Sequence, residues 1–289
     1  MPNHTLTFLG TSAGELYPGI WCRCQTCQRA RELGGPNLRA QTCAYVSPGI
    51  MLDFPADVLA TAARWGVPLP EVSWILVTHS HEDHLFPYHF QWRRLSGPAT
   101  HTPPLDRIAP RFTPLPLMTV AGSAVACERT RVYVTEGEKP YALVTRVVEP
   151  GDVFNAAGVQ VTALRANHQV PGETTLNYLL EADGRSLAYL LDTDVLLEET
   201  WEALKCRQLN VVILEATFGR AYCPGSNHMD FRKLRETRAR MVGEGLLAPG
   251  CRFIATHFSP HHTPPHDETA AELAEFGVEA SCDGFTVEW

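Results

Sequence analysis

No apolar run in the sequence approaches the roughly 18 residues of a membrane-spanning helix. Its start, MPNHTLTFLGTSAG, has neither the basic segment nor the long apolar stretch of a secretory or transit peptide. The expectation is a cytoplasmic protein with no membrane partner. Positive charge is also scarce: 24 Lys and Arg against 32 Asp and Glu give a formal net charge of −8. Affinity for nucleic acid comes mostly from cations placed on phosphates, so an extended grip on DNA or RNA is not expected. A small substrate, or metal cations, suits this balance better. The nine cysteines are odd in number and three crowd into CRCQTC, which suits reduced thiols or a metal site rather than a disulfide framework. There is no short-period repeat and no low-complexity tail. The sequence leaves the oligomeric state open, a homodimer included.

What is present is an ordinary globular composition, 45% hydrophobic and 19% charged over 289 residues, enough to bury a core without covalent staples. Short runs rich in Val, Ile and Leu alternate with helical stretches such as PADVLATAARWG and DETAAELAEFG, an α/β pattern. Residues 97–116 are dense in proline, but strand-like runs resume on both sides, so this reads as an ordered excursion or lid within one domain spanning 1–289.

Polar residues fall repeatedly at the ends of these runs. WILV leads to His79, His81, Asp83 and His84; VQVTALRAN to His168; SLAYLL to Asp192; NVVIL to Glu215; CRFIAT to His257. Loops at one end of the strands of an α/β fold gather functional groups, because rigid strands aim them at a shared point. Five strands thus deliver candidate ligands to one place.

Three imidazoles and a carboxylate in H-x-H-x-D-H suit zinc, iron or manganese, and a turn after a strand can set alternate residues around one ion while the next pair reaches a second. A single histidine would more simply be a surface or core residue; three within six positions reverse that. Asp192 by itself reads equally as an N-cap before VLLEETWEAL, Asp53 as a turn former, and His228 as a helix cap. The cysteines at 22, 24 and 27 read as a tetrahedral zinc site or as free thiols. Tyr222, Arg220, His89 and the Arg93-Arg94 pair read best as solvated surface.

Taken in order, Asp53 after GIML, H-x-H-x-D-H at 79–84, His168, Asp192 in LLDTD and His257 in ATHFS resemble the five motifs of the metallo-β-lactamase superfamily along the whole chain. FLGTSAG, the C-x-C-x2-C cluster and NHMD at 227–230 are similar to the PhnP-type cyclic phosphodiesterases, relatives of the cofactor-biosynthesis protein PqqB. The resemblance implies an αββα sandwich of two mixed sheets flanked by helices, with pseudo-symmetric halves of about 1–150 and 151–289. It implies two divalent ions, manganese or zinc. His79, His81 and His168 would hold one, Asp83, His84 and His257 the other, with Asp192 bridging. Asp53 would fix the tautomer of a ligand histidine, and His228 would bind phosphate or act as general acid, joining Asp83 and Asp192 in catalysis. A structural zinc is expected on Cys22, Cys24 and Cys27. PhnP-like proteins take the fourth ligand three residues after the last catalytic histidine, where this chain has Pro260, so His261 of HFSPHH is the substitute expected, ahead of His262.

The activity so implied is hydrolysis of small, cyclic phosphodiesters by a metal-bridging hydroxide, since two metals lower the pKa of water from about 15.7 to near neutrality. A non-catalytic accessory protein of the PqqB kind and a lactone or thioester hydrolase on the same centre are the alternatives. A tRNA 3′-processing nuclease fits an acidic chain without a basic arm less well.

Overall fold

The computed structural model describes residues 4–95, 115–134 and 141–289. Of the proline-dense excursion expected at 97–116, all but Leu115 and Pro116 lies outside the described residues. Two mixed seven-stranded sheets organise the chain. The first contains β1 (Thr5–Gly10), β2 (Cys43–Val46), β3 (Ile50–Leu52), β4 (Trp74–Leu76), β5 (Met118–Gly122), β6 (Leu143–Val147) and β14 (Thr286–Glu288), in the order β14-β1-β2-β3-β4-β5-β6. The second runs from β7 (Val153–Ala156) through β8 (Val159–Arg165), β9 (Leu176–Ala182), β10 (Arg185–Leu190), β11 (Leu209–Glu215) and β12 (Leu247–Thr256) to β13 (Glu279–Ala280).

Each sheet changes character across its width. From β14 to β3 the neighbours are antiparallel, and from β3 to β6 they are parallel. The second sheet repeats this, antiparallel from β7 to β10 and parallel from β10 to β13. Local sequence explains the antiparallel part. Ala156 pairs with Val159 and Ala182 with Arg185, leaving two-residue loops, Ala157-Gly158 and Asp183-Gly184, with positive φ at both positions. That is the turn whose twist matches paired strands, and glycine at its second position removes the steric cost. The parallel strands need crossovers, and those carry most of the helices.

Three apolar clusters follow from this arrangement. Between the sheets lie Leu6, Phe8, Leu52, Leu76, Tyr178, Tyr189, Ile213 and Ile254. Outside the first sheet, Met51, Ile75 and Val120 pack with α2 (Val58–Trp65) and α4 (Ala124–Val132); α1 (Gln25–Leu33) and the short α3 (Gln91–Leu95) complete the helices of that half. Outside the second, Val212, Leu214 and Phe253 pack with α5 (Glu198–Leu204), α6 (Phe231–Gly243) and α7 (His266–Ala274). The result is the expected αββα sandwich. Strands β10 and β11 are covered on both faces, which is why they read as continuous apolar runs rather than alternating ones. Among the described residues no helix is long and apolar enough to cross a membrane.

Candidate metal centre

The loops that leave β3, β4, β8, β10, β11 and β12 meet at one edge of the sandwich. Asp53, Asp192 and His257, each directly or almost directly after a strand, have φ of +64°, +41° and +61°. Left-handed backbone at non-glycine residues costs on the order of 1–3 kcal/mol each and persists only where the surroundings enforce it. Here it turns three side chains back toward a common point. Bonds between the sheets brace that edge: the Tyr178 hydroxyl donates to the Val77 carbonyl at 2.6 Å, and the Leu176 amide to Thr78 at 2.8 Å.

At the centre lies Asp192, 3% exposed. Its Oδ2 is 3.6 Å from His79 Nε2 and 3.9 Å from His168 Nε2, whereas its Oδ1 is 3.3 Å from His84 Nε2 and 3.2 Å from His257 Nε2. Asp83 Oδ2 lies 3.4 Å from His84 Nε2 and 3.8 Å from His257 Nε2, and His81 brings its Nδ1 to 2.9 Å from His79 Nε2. Potential ligand atoms of His79, His81, His168 and Asp192 all lie within 4.8 Å of one another, as do those of Asp83, His84 and His257. The seven side chains are therefore gathered in two groups, with the Asp192 carboxylate facing both.

The far side of each ring decides which nitrogen faces inward. His84 donates its Nδ1–H to Asp53 Oδ2 at 2.9 Å, and His168 its Nδ1–H to the Asn227 carbonyl at 3.3 Å. Thr78 gives its hydroxyl hydrogen to Asp53 and stands 3.1 Å from His79 Nδ1; Thr217 gives its own to Glu215 and stands 2.8 Å from His257 Nδ1. With their hydrogens committed, these hydroxyls accept from the two rings. Four Nδ1 atoms thus point outward, leaving four Nε2 atoms directed at the centre. Asp53, fully buried, thus holds the outer face of the His84 ring.

The donor set fits divalent cations. His84 Nε2, His168 Nε2, His257 Nε2 and Asp192 Oδ1 are buried and have no hydrogen-bond partner, a costly state that a cation removes. Burial holds His79 well below its ordinary pKa, and His168 below it, favouring the neutral form that ligates. Burial opposes charge on His84 too, but Asp192, Asp83 and Asp53 outweigh it and hold that ring well above its usual value. Burial likewise works against ionised Asp192, and His257 and His84 overcome it. The carboxylates thus stabilise positive charge on the His84 side of the centre.

His228 stands beside it, its ring stacked on His257 with centroids 5.9 Å apart. Its Nδ1–H donates to Glu215, 2.9 and 3.1 Å from the two oxygens. Glu215 is completely buried and also accepts from the Thr193 amide at 2.6 Å. Burial opposes an imidazolium at His228, but Glu215 outweighs it and raises the pKa to about 9. Neither capping reading holds: Asp230 caps α6 through the Lys233 amide at 2.8 Å, and α5 begins after Leu197, well beyond Asp192. A cavity of about 270 Å³ opens over His81, Asp83, Asp192, His228 and His257.

The cysteine cluster forms a second group. The sulfurs of Cys22, Cys24 and Cys27 lie within 4.8 Å of one another, and amides of Cys24, Cys27 and Gly19 point at them at 3.3–3.4 Å. At Cys24 burial opposes the thiolate but these hydrogen bonds outweigh it and lower the pKa, whereas at Cys27 burial prevails over the Gly19 amide and pushes the thiol up to about 12. His261 Nδ1 is 3.8 Å from Cys22 Sγ, beside the trio rather than equidistant from it. Of the remaining polar residues weighed, Arg220 pairs with Glu272, His89 bonds to the Ala56 carbonyl, Arg93 to Tyr141, and Tyr222 is exposed; none lines the cavity. Sequence placed Glu215 at a strand end but gave it no partner, and gave no sign of Thr78 or Thr217, whose roles depend on rings far away in the chain.

The beta-lactamase superfamily domain model matches residues 50–258. The chain belongs to the metallo-β-lactamase superfamily. Among curated proteins no sequence matches significantly. Among solved structures, a diphosphatase of the PhnP family is 22% identical, with a TM-score of 0.75 over 100% of this chain and 98% of that one. Zinc-bound PqqB from Methylobacterium extorquens is 16% identical, TM-score 0.73, over 99% and 100%. Human tRNase Z, short form, is 15% identical, TM-score 0.63, over 98% of each chain. At these identities the likeness is one of fold, and it extends over essentially the whole chain.

Proposed function

We propose that this protein is a binuclear metal-dependent hydrolase of small phosphodiesters, cyclic ones among them. The observation that carries the reading is Asp192, one oxygen facing His79 and His168 and the other facing His84 and His257. His79, His81 and His168 would hold one divalent ion and Asp83, His84 and His257 a second, and the Asp192 carboxylate would offset part of their charge. A pair of divalent ions, when bound, supplies water ionised near neutral pH and positive charge to offset that building on the phosphoryl oxygens. Manganese and zinc both suit the imidazole and carboxylate donors.

The chain's own residues do the rest. Asp53, Thr78 and Thr217 hold the ligand rings, so the geometry exists before substrate arrives. His228, its Nδ1–H fixed on Glu215, has a ring nitrogen within 4.8 Å of ligand atoms of Asp192 and His257, where it can protonate a departing alkoxide. The cavity, about 270 Å³, suits a small substrate. The PhnP-family neighbour is a diphosphatase, which supports phosphoryl chemistry.

His228→Ala tests this directly. With loaded protein, turnover of a cyclic nucleotide or ribose cyclic phosphate should fall by about 10²–10⁴, while a nitrophenyl phosphodiester, whose leaving group needs no proton, should lose far less. Wild-type protein that cleaves no phosphodiester but opens a lactone or thioester would discard the proposed substrate class. Fewer than two ions taken up at the His/Asp centre would favour an accessory role.

A further inference from the structure

We propose that Glu173 is the positioning residue for the metal position made by His79, His81 and His168, locking the two loops that carry these ligands into one unit. The proposal rests on the two-metal reading above. Glu173 follows His168 by five residues, in a turn closed by its amide on the Val170 carbonyl at 3.1 Å. Its carboxylate crosses to the other sheet. There Oε2 accepts from the Ser80 amide at 3.1 Å and the Ser80 hydroxyl at 2.5 Å, and Oε1 accepts from the Ser123 hydroxyl.

Ser80 is the spacer of the H-x-H pair, so the orientation of its peptide sets where the two flanking imidazoles point. The Arg129 guanidinium takes its carbonyl. Amide, hydroxyl and carbonyl of one residue are thereby all fixed. On the Glu173 side, Thr175 donates its hydroxyl to the His168 carbonyl at 2.8 Å, which makes the turn and the third ligand one rigid piece. Ser80 and Ser123 are 4% and 3% exposed, so loss of the carboxylate leaves their donors without ready solvent. The other metal position has separate supports, Asp53 behind His84 and Thr217 beside His257.

The experiment compares wild type, Glu173→Ala and Glu173→Gln, each stripped of metal and titrated with Mn²⁺, which disfavours the cysteine sulfurs. Stoichiometry is read by elemental analysis after dialysis and by paramagnetic resonance of the Mn²⁺ pair. Wild type should take up two ions. Glu173→Ala should keep one at wild-type affinity and bind the second about tenfold or more weakly, with loss of the spin-coupled signal. Glu173→Gln should recover part of it, because its amide oxygen still accepts from the Ser80 amide; if the alanine variant does not fold, this variant decides. Equal binding in wild type and variants, or equal weakening of both ions, overturns the proposal. A wild type that takes up only one ion overturns the two-metal reading instead.

Discussion

Glu215→Gln removes a buried charge without changing volume, and the effect on metal-free protein can be worked out from one ring. An imidazole in an unfolded chain titrates near 6.5, whereas His228, paired with Glu215, titrates at about 9. The folded state therefore holds this proton more tightly than the unfolded state. The sign follows from linkage: the stabilisation is complete below about pH 6.5 and is lost as pH rises through about 9. At roughly 1.36 kcal/mol per pK unit, a shift of about 2.5 units contributes about 3 kcal/mol at pH 6 and almost nothing at pH 9.5. Urea denaturation of metal-free wild type and variant at pH 6, 7.5 and 9.5 isolates this part, because other titrations cancel in the difference. The stability gap should shrink by about 3 kcal/mol from pH 6 to pH 9.5. A gap that stays constant with pH would show that Glu215 does not charge His228.

Chelation should lower the thermal midpoint, since it leaves buried His84, His168, His257 and Asp192 atoms unpartnered; Mn²⁺ or Zn²⁺ at a thousandfold excess over Kd should restore about 4 kcal/mol for each ion bound, and a midpoint indifferent to both treatments contradicts the metal reading. Gly10→Ala places a Cβ 1.9 Å from the Gln41 carbonyl oxygen and 2.8 Å from that of Ala40. Backbone cannot yield there without disturbing the β1–β2 pairing, so a loss of about 3 kcal/mol or more is expected in urea, and a loss below about 0.5 kcal/mol would be incompatible with that contact. Cys27→Ser should remove one zinc per chain in elemental analysis while leaving two-ion uptake of Mn²⁺ intact; unchanged zinc content would mean the cysteines hold none.

Several features of the centre were legible because they are local. H-x-H-x-D-H compresses four candidate ligands behind one strand, and apolar runs ending in a polar residue recur at 168, 192 and 257. Residue type and position relative to a strand suffice for these. The partners of the ligands were not legible in the same way. Thr78 is one threonine among many until Asp53, 25 residues away, takes its hydroxyl hydrogen, and Glu215 is a strand-end acid until His228 folds against it. The cysteine cluster was legible as a trio; with Pro260 at the usual fourth position, His261 was the substitute expected, and the fold places it next to Cys22.

By itself the sequence determined which side chains could serve as ligands and that they follow strands, because alternation, chain-reversing turns and imidazole chemistry are properties of short segments. The tertiary structure alone decided that β14 returns to the first sheet, that Asp192 divides its two oxygens between two sets of rings, and that Glu173 and Glu215 tie loops from distant segments together. Those outcomes depend on two sheets packing face to face over a shared apolar layer, an energy distributed over many contacts that no short stretch of chain contains.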